Sequence, residues 1–271
     1  FPYTTLFRST TALQRQMIGG TSNSIGMAIA PLVISYLIFH GTPLHDIVTK
    51  QFIIPLIILI LIMLIITLLV GKTQMPSIDN VRQAPGEKFD KSVWSFRNLK
   101  LGVWGIFFYV GIEVAVGANV NMYASELGGS FASNATHMAA LYWGLLLLGR
   151  FLGSFIKQVP SEKQLVIASI GAIVLLVLAM LTANPWILTL IGFFHSIMWP
   201  AIFTLATDQL GKYTTKASGV LTMGVIGGGI IPLLQGIFAD VMGGNWLWTW
   251  LLVIAGEAYI LYYGLNGYKQ H

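Results

Sequence analysis

The chain has 271 residues, of which 55% are hydrophobic and only 9% are Asp, Glu, Lys or Arg. A soluble domain carries roughly 25% charged residues, and at a mean hydropathy of +0.75 no water-soluble core could hide this much apolar surface. A soluble globular enzyme, a disordered chain and a nucleic-acid binder are therefore excluded. The formal charge of +5 is small and is divided among separate loops. With no cysteine, the chain has no disulfide framework, thiolate nucleophile or Cys-based metal site.

Residues 1–9, Phe1-Pro2-Tyr3-Thr4-Thr5-Leu6-Phe7-Arg8-Ser9, show no helical or strand periodicity and no signal-peptide architecture. Written back into codons they can read TTT CCC TAC ACG ACG CTC TTC CGA TCT, which resembles the end of a common short-read sequencing adapter. The expectation is that this stretch is an artefact and that the reading frame is cut at its start. Beyond it, eight segments reach the length of about 20 mostly apolar residues that a spanning helix needs. They lie near 14–39, 51–71, 101–123, 136–157, 164–183, 186–208, 217–239 and 246–266. Asn184-Pro185 divides the long uncharged run from Gln164 to Thr207 into two spans. The runs are continuous, not alternating, so helices are expected and a barrel is not.

Leaving out Arg8, one set of alternate loops holds thirteen basic residues: Arg15, Lys72, Arg82, Lys88, Lys91, Arg97, Lys100, Arg150, Lys157, Lys163, Lys212, Lys216 and Lys269. The opposite loops hold Lys50 alone. By the positive-inside rule, residues 72–100 and the C-terminus are expected in the cytoplasm. Trp246, Trp248 and Trp250 are expected in an aromatic belt at the outer face.

The first span contains Thr21-x-x-x-Ile25-Gly26-x-x-Ile29-x-Pro31-Leu32, and the seventh contains Thr222-x-x-x-Ile226-Gly227-x-x-Ile230-x-Pro232-Leu233, in register 201 residues apart. Matched Gly and Pro in spanning helices suggest one packing role at both places. The two spans are six helices apart, the period of transporters built from two parallel six-helix halves. On this reading residues 10–71 are the last two helices of one half and 72–100, with Pro76, Pro85 and Gly86, the central linker. Residues 101–271 are then a complete second half, and four helices are expected to be missing at the front.

Polar groups inside a bilayer are costly and often functional. Tyr109, Glu113, Gly117 and Asn121 share one face of the third span, a stripe of phenol, carboxyl and carboxamide suited to a hydroxyl-rich ligand. Glu113, at mid-span, is also the candidate for proton coupling; a carboxyl bonded to a neighbouring helix is the plainer alternative. Tyr142-Trp143 lie inside the fourth span, and His195 and Trp199 stand one turn apart in the sixth. Aromatic faces stack on sugar rings while nearby polar groups bond the hydroxyls, although packing aromatics and a helix-bonded histidine fit as well. Asn23 and Gln235 are further candidate sugar contacts, with helix–helix hydrogen bonding as the alternative. Glu257 is buried with no polar face and is read as structural. Arg150 and Asp208 stand at the same end of their spans and could latch helix ends in a gating cycle. Gly227-Gly228-Gly229 with Pro232 reads as a closely packed, locally flexible gating element and not as a phosphate loop.

Four ordered segments carry a family resemblance: Phe107-Phe108-Tyr109-Val110-Gly111-Ile112-Glu113; Ala140-Leu141-Tyr142-Trp143-Gly144 with Gly149-Arg150; Ser196-Ile197-Met198-Trp199-Pro200-Ala201-Ile202-Phe203; and Gly227-Gly228-Gly229-Ile230-Ile231-Pro232 with Gln235-Gly236 and Ala239-Asp240. Together they are similar to the fucose–proton symporter family of the major facilitator superfamily, which includes bacterial glucose/galactose transporters. The resemblance implies an all-α bundle of twelve helices, of which helices 5–12 are present. It further implies a monomeric, multi-pass inner-membrane sugar importer that uses the proton gradient and alternating access, without a cofactor, metal or nucleic-acid partner. It makes Glu113, Asn121, His195 and Trp199 cavity residues. The family's acidic coupling residues in helices one and four have no counterpart in these spans. A non-transporting membrane sensor with the same sugar cavity is the alternative. An intramembrane hydrolase would need a His-x-x-Glu-His or Gly-x-Ser-x-Gly motif, and neither is present.

Overall fold

The computed structural model describes residues 9–33, 49–73, 89–156 and 158–270. The expectations for residues 1–8, the end of the first span at 34–39, most of the linker (74–88) and Lys157 lie outside these. Among the described residues the chain is helical throughout and contains no strand. The helices are α1 (Ser9–Leu32), α2 (Ile53–Lys72), α3 (Arg97–Leu127), α4 (Gly129–Ser133), α5 (Ala135–Gly153), α6 (Ser161–Thr182), α7 (Pro185–Thr207), α8 (Thr214–Thr222), α9 (Gly227–Val241) and α10 (Trp250–Tyr262). Apart from α4, a single turn, they fall on the eight expected spans; α8 with α9 forms the seventh. A 3-10 turn at Leu247–Thr249, α10 and a π turn at Tyr263–Gly267 form the eighth. Among the described residues, five helical segments are individually long and apolar enough to cross a bilayer: α2, α3, α6, α7 and Gly211–Val241.

Asn184-Pro185 ends one span and starts the next by an identifiable mechanism. Ala183 adopts the left-handed conformation at φ +48°. The Asn184 side chain then caps α7 by accepting from the Trp186 amide at 3.0 Å, and Pro185 occupies the first turn, where its missing N–H costs nothing.

Helix α7 is the hub of the bundle, packed against α3, α5 and α6; α3 also meets α9 and α10, and α1 lies mainly on α5. Small residues permit the closest crossings, as expected where lipid supplies no hydrophobic drive between helices. A Cβ on Gly192 would collide with the Tyr142 carbonyl, and one on Gly149 would lie 2.7 Å from the Phe193 carbonyl, so two glycines set the α5–α7 distance. Helix α2 buries no residue and is apolar on every side, the pattern of a helix made for lipid or for other membrane helices.

One end of the bundle gathers the basic loops. The Arg97 guanidinium donates to the carbonyls of Asn266 at 2.8 Å and Lys269 at 2.7 Å, closing the C-terminal turn of the last span. Lys212 pairs with Asp90 at 3.0 Å, and the Tyr213 hydroxyl accepts from the Asp90 and Lys91 amides. Helix α3 begins at Arg97, so Arg97 and Lys100, expected in the stretch before the third span, already lie in its helix. The tryptophan cluster needs correction. Trp248 faces outward, but Trp250 is fully buried with its ring edge-on to Tyr123, so it belongs to the core and not to a belt. The matched glycines of the internal repeat also differ. Gly227 lies against the Phe107 backbone, whereas among the described residues nothing lies within 4 Å of a Cβ on Gly26.

Candidate functional site

A cavity of about 390 Å³ opens between α1, α3, α5 and α7, lined among others by Gln16, Asn23, Glu113, Arg150, Trp199 and Val225. That is within the range of about 300–1,000 Å³ usual for small-molecule sites. Val225 reaches it from a 3-10 turn, Met223–Ile226, that interrupts the seventh span between α8 and α9.

Glu113 is the carboxylate of this wall and is 7% exposed. Its Oε1 accepts from the Tyr109 hydroxyl at 2.8 Å and from Arg150 Nη2 at 3.3 Å. A buried ion pair holds only when its remaining hydrogen-bonding groups are met, and Arg150 meets them on two further helices. Its Nη1 donates to Ser24 Oγ at 2.7 Å and the Gly20 carbonyl at 3.3 Å on α1, and its Nε to the Ser196 carbonyl at 3.4 Å on α7. The last acceptor exists because of Pro200. Proline has no N–H, so the carbonyl four residues earlier, that of Ser196, loses its helical partner and is free for Arg150.

The expected Arg150–Asp208 latch is therefore not formed. Arg150 is buried and bound to Glu113, while the Asp208 side chain is exposed and, among the described residues, only its carbonyl is engaged, by Asn98 and Gln270. Arg150 also leaves the tally of loop charges, which becomes twelve to one. Trp199 and Asn23 do line the cavity; the Tyr109 and Trp199 rings lie 6.4 Å apart, and Asn23 Nδ2 is 3.5 Å from the Met27 sulfur.

Five expected sugar contacts are placed elsewhere. Trp143 packs over Gly117, where any Cβ would strike its ring, and so closes the polar stripe before Asn121, which lies outside the cavity wall. Gln235 is fully buried in a helix–helix network, accepting from Asn119 at 2.9 Å and donating to Thr249 at 3.0 Å. His195 is fully buried behind the cavity, 2.6 Å from both the Tyr142 hydroxyl and a Glu257 oxygen. Tyr142 in turn donates to the Glu113 carbonyl at 3.0 Å, so it joins His195 to the cavity wall without lining it. Glu257, read from sequence as lacking polar neighbours, has His195 as its partner.

Around the seventh span, Gly227 and Gly228 pack closely on α3, against Phe107 and Val110, whereas Gly229 faces open space; Pro232 lies within α9. Among the described residues no cluster of His, Asp or Glu has the makings of a metal site.

A bundle of apolar helices with a cavity between them, and a buried ion pair on the cavity wall, is the build of a membrane transporter. The chain belongs to the Major Facilitator Superfamily, whose sequence profile matches residues 14–231. It is 34% identical over 284 residues to a protein of Helicobacter pylori named putative glucose/galactose transporter, covering 99% of this chain and 69% of that one. That alignment runs into the nine residues set apart at the N-terminus. A Brucella abortus glucose/galactose transporter is 33% identical over 278 residues, covering 99% of this chain and 67% of its own length. The L-fucose-proton symporter of Escherichia coli is 29% identical over 199 residues, covering 70% of this chain and 45% of that protein. In fold, the chain superposes on the crystal structure of the superfamily transporter FucP in its outward conformation with a TM-score of 0.73 at 23% identity, covering 97% of this chain and 70% of that one.

Proposed function

We propose that the protein is a hexose importer of the bacterial inner membrane, driven by the proton gradient through alternating access, with a monomer as the working unit. The observation that carries this reading is the cavity wall itself. A carboxylate held by a guanidinium, a carboxamide and an indole face one volume of sugar size, the combination that bonds hydroxyls and stacks on the apolar face of a pyranose. Glu113 and Arg150 offer acceptor and donor groups to the sugar, Asn23 adds a carboxamide and Trp199 a stacking surface. Tyr109 positions the Glu113 carboxylate. Fucose, glucose and galactose all fit this chemistry, and the names of the relatives point to the same set. The central linker and the C-terminus are assigned to the cytoplasm.

Uptake of radiolabelled fucose, glucose and galactose by cells expressing the full-length gene, with and without a protonophore, tests the reading. Accumulation abolished by the protonophore is expected. Uptake that ignores the proton gradient sinks the symport, and sugar binding without uptake favours a membrane sensor using the same cavity. Glu113→Gln is expected to weaken sugar binding and uptake at every pH; unchanged uptake would make Glu113 structural.

A further inference from the structure

We propose that the buried His195–Glu257 pair is the proton-binding site of this half of the bundle, and that Tyr142 carries its protonation state to the cavity wall at Glu113. The inference rests on the proton-driven reading above and assigns to this pair the proton that sequence reasoning gave to Glu113. Three hydrogen bonds stand in line across α10, α7, α5 and α3. They join Glu257 Oε1 to His195 Nε2 at 2.6 Å, His195 Nδ1 to the Tyr142 hydroxyl at 2.6 Å, and the Tyr142 hydroxyl to the Glu113 carbonyl at 3.0 Å. Tyr142, His195 and Glu257 are all fully buried.

Counting protons decides what the line requires. Each hydrogen bond needs one proton between its two heavy atoms. A carbonyl cannot donate, so the single proton of Tyr142 goes to Glu113, and His195 must donate to Tyr142 through Nδ1. The contact between Nε2 and Oε1 needs a further proton. The complete line therefore exists only when His195 and Glu257 together hold two protons, as imidazolium with carboxylate or as imidazole with carboxylic acid. Either form is uncharged overall, which suits a dry site.

Release of one proton to water leaves the pair with a net negative charge, and Glu257 Oε2 has no hydrogen-bond partner among the described residues to soften it. It also leaves two protons for three contacts. His195 Nδ1 then becomes an acceptor, the Tyr142 hydroxyl turns to it, and the Glu113 carbonyl on the cavity wall is let go. Rebinding a proton reverses both changes. Proton occupancy is thus tied to the grip of α5 on α3 at the residue that faces the sugar.

The charged and titratable groups around the pair do not replace it. On α3 and α5, Tyr109 donates to Glu113, whose charge Arg150 already balances at 3.3 Å. Among the described residues, α1 bonds the cluster through the Gly20 carbonyl and the Ser24 hydroxyl, both on Arg150. Elsewhere, Glu162 of α6 stands near Tyr268 at the end of the bundle, Lys163 and Asp240 are exposed, and Lys216 of α8 lies over the Phe89 ring.

The test uses the full-length protein in proteoliposomes, comparing sugar exchange at equal pH with accumulation under an imposed proton gradient. Glu257→Gln cannot ionise but preserves the uncharged line. It is expected to exchange sugar at a rate comparable to the parent protein and without dependence on pH, and to lose accumulation, leaving equal sugar on both sides. Tyr142→Phe keeps the ring in place and cuts the line, so a lower accumulation ratio with exchange retained is expected; this variant carries the test if Glu257→Gln fails to fold. Parental accumulation together with the parental pH profile in either folded variant overturns the inference. Absence of gradient-driven accumulation in the parent protein would instead sink the symport reading itself.

Discussion

Arg150 engages Glu113, Ser24, Gly20 and Ser196 at once, which only the planar, many-donor guanidinium can do. A lysine ammonium at this position could keep the charge but could not span acceptors on three helices. Arg150→Ala leaves the Glu113 carboxylate buried and unpaired, and breaking a buried pair in this way costs about 3–5 kcal/mol. Arg150→Lys is expected to fall between that variant and the parent. The check is the melting temperature of the purified full-length protein; an unchanged value for Arg150→Ala would show that Glu113 does not depend on it. The partnership could be read by counting depth. Glu113 stands 14 residues before the end of α3 at Leu127, and Arg150 stands 15 residues after the start of α5 at Ala135. At 1.5 Å per residue both lie roughly 21–23 Å from the shared turn. Arg150 does stand only three residues before the end of α5 at Gly153, and what its place near a membrane face did not reveal is that its side chain is buried against Glu113. The same count finds the pair behind the cavity, since His195 and Glu257 each lie 10 residues from the start of their spans at Pro185 and Leu247.

At the scale of the element, the seventh span shows what apolar patterning cannot reveal. Continuous hydrophobic runs located the spans because membrane length fixes them, yet the 3-10 turn at Met223–Ile226 has no compositional signal. It follows from packing: Gly224 closes on the Val103 carbonyl and Gly227 on the Phe107 backbone, so the helix meets α3 at main-chain distance over this stretch. The matching Ile25-Gly26 in α1 sits in unbroken helix, because no helix among the described residues approaches it there. A sequence repeat thus marked equivalent positions without equivalent surroundings. Gly227→Ala is expected to force α9 off α3 and to lower the melting temperature markedly. Gly229→Ala, which meets open space, is expected to be neutral or to stabilise by up to about 1 kcal/mol through better helix propensity. Equal effects from the two substitutions would show that the α3–α9 contact is not set by Gly227.

Across the whole molecule, charge and contact geometry describe the same polarity. The Lys212–Asp90 pair, the Arg97 bonds to the last carbonyls and the neighbourhood of Glu162 and Tyr268 all lie at the end of the bundle where the basic residues gather. At the opposite end, Glu126 accepts from the Trp246 amide at 2.9 Å, and the α3–α4 turn is free of basic residues. Insertion is governed by Lys and Arg near span ends, so twelve against one predicts that the first end is cytoplasmic even with Arg150 removed from the count. The absence of cysteine from these 271 residues makes the orientation directly measurable. Lys91→Cys and Ser130→Cys place single thiols at exposed positions on the two ends. In intact cells a membrane-impermeant maleimide is expected to label Ser130→Cys at once and Lys91→Cys only after permeabilisation, both judged against the protein without an introduced thiol. The reverse pattern would invert the molecule in the membrane. It would also place the linker outside the cell and require the import direction to be reassigned.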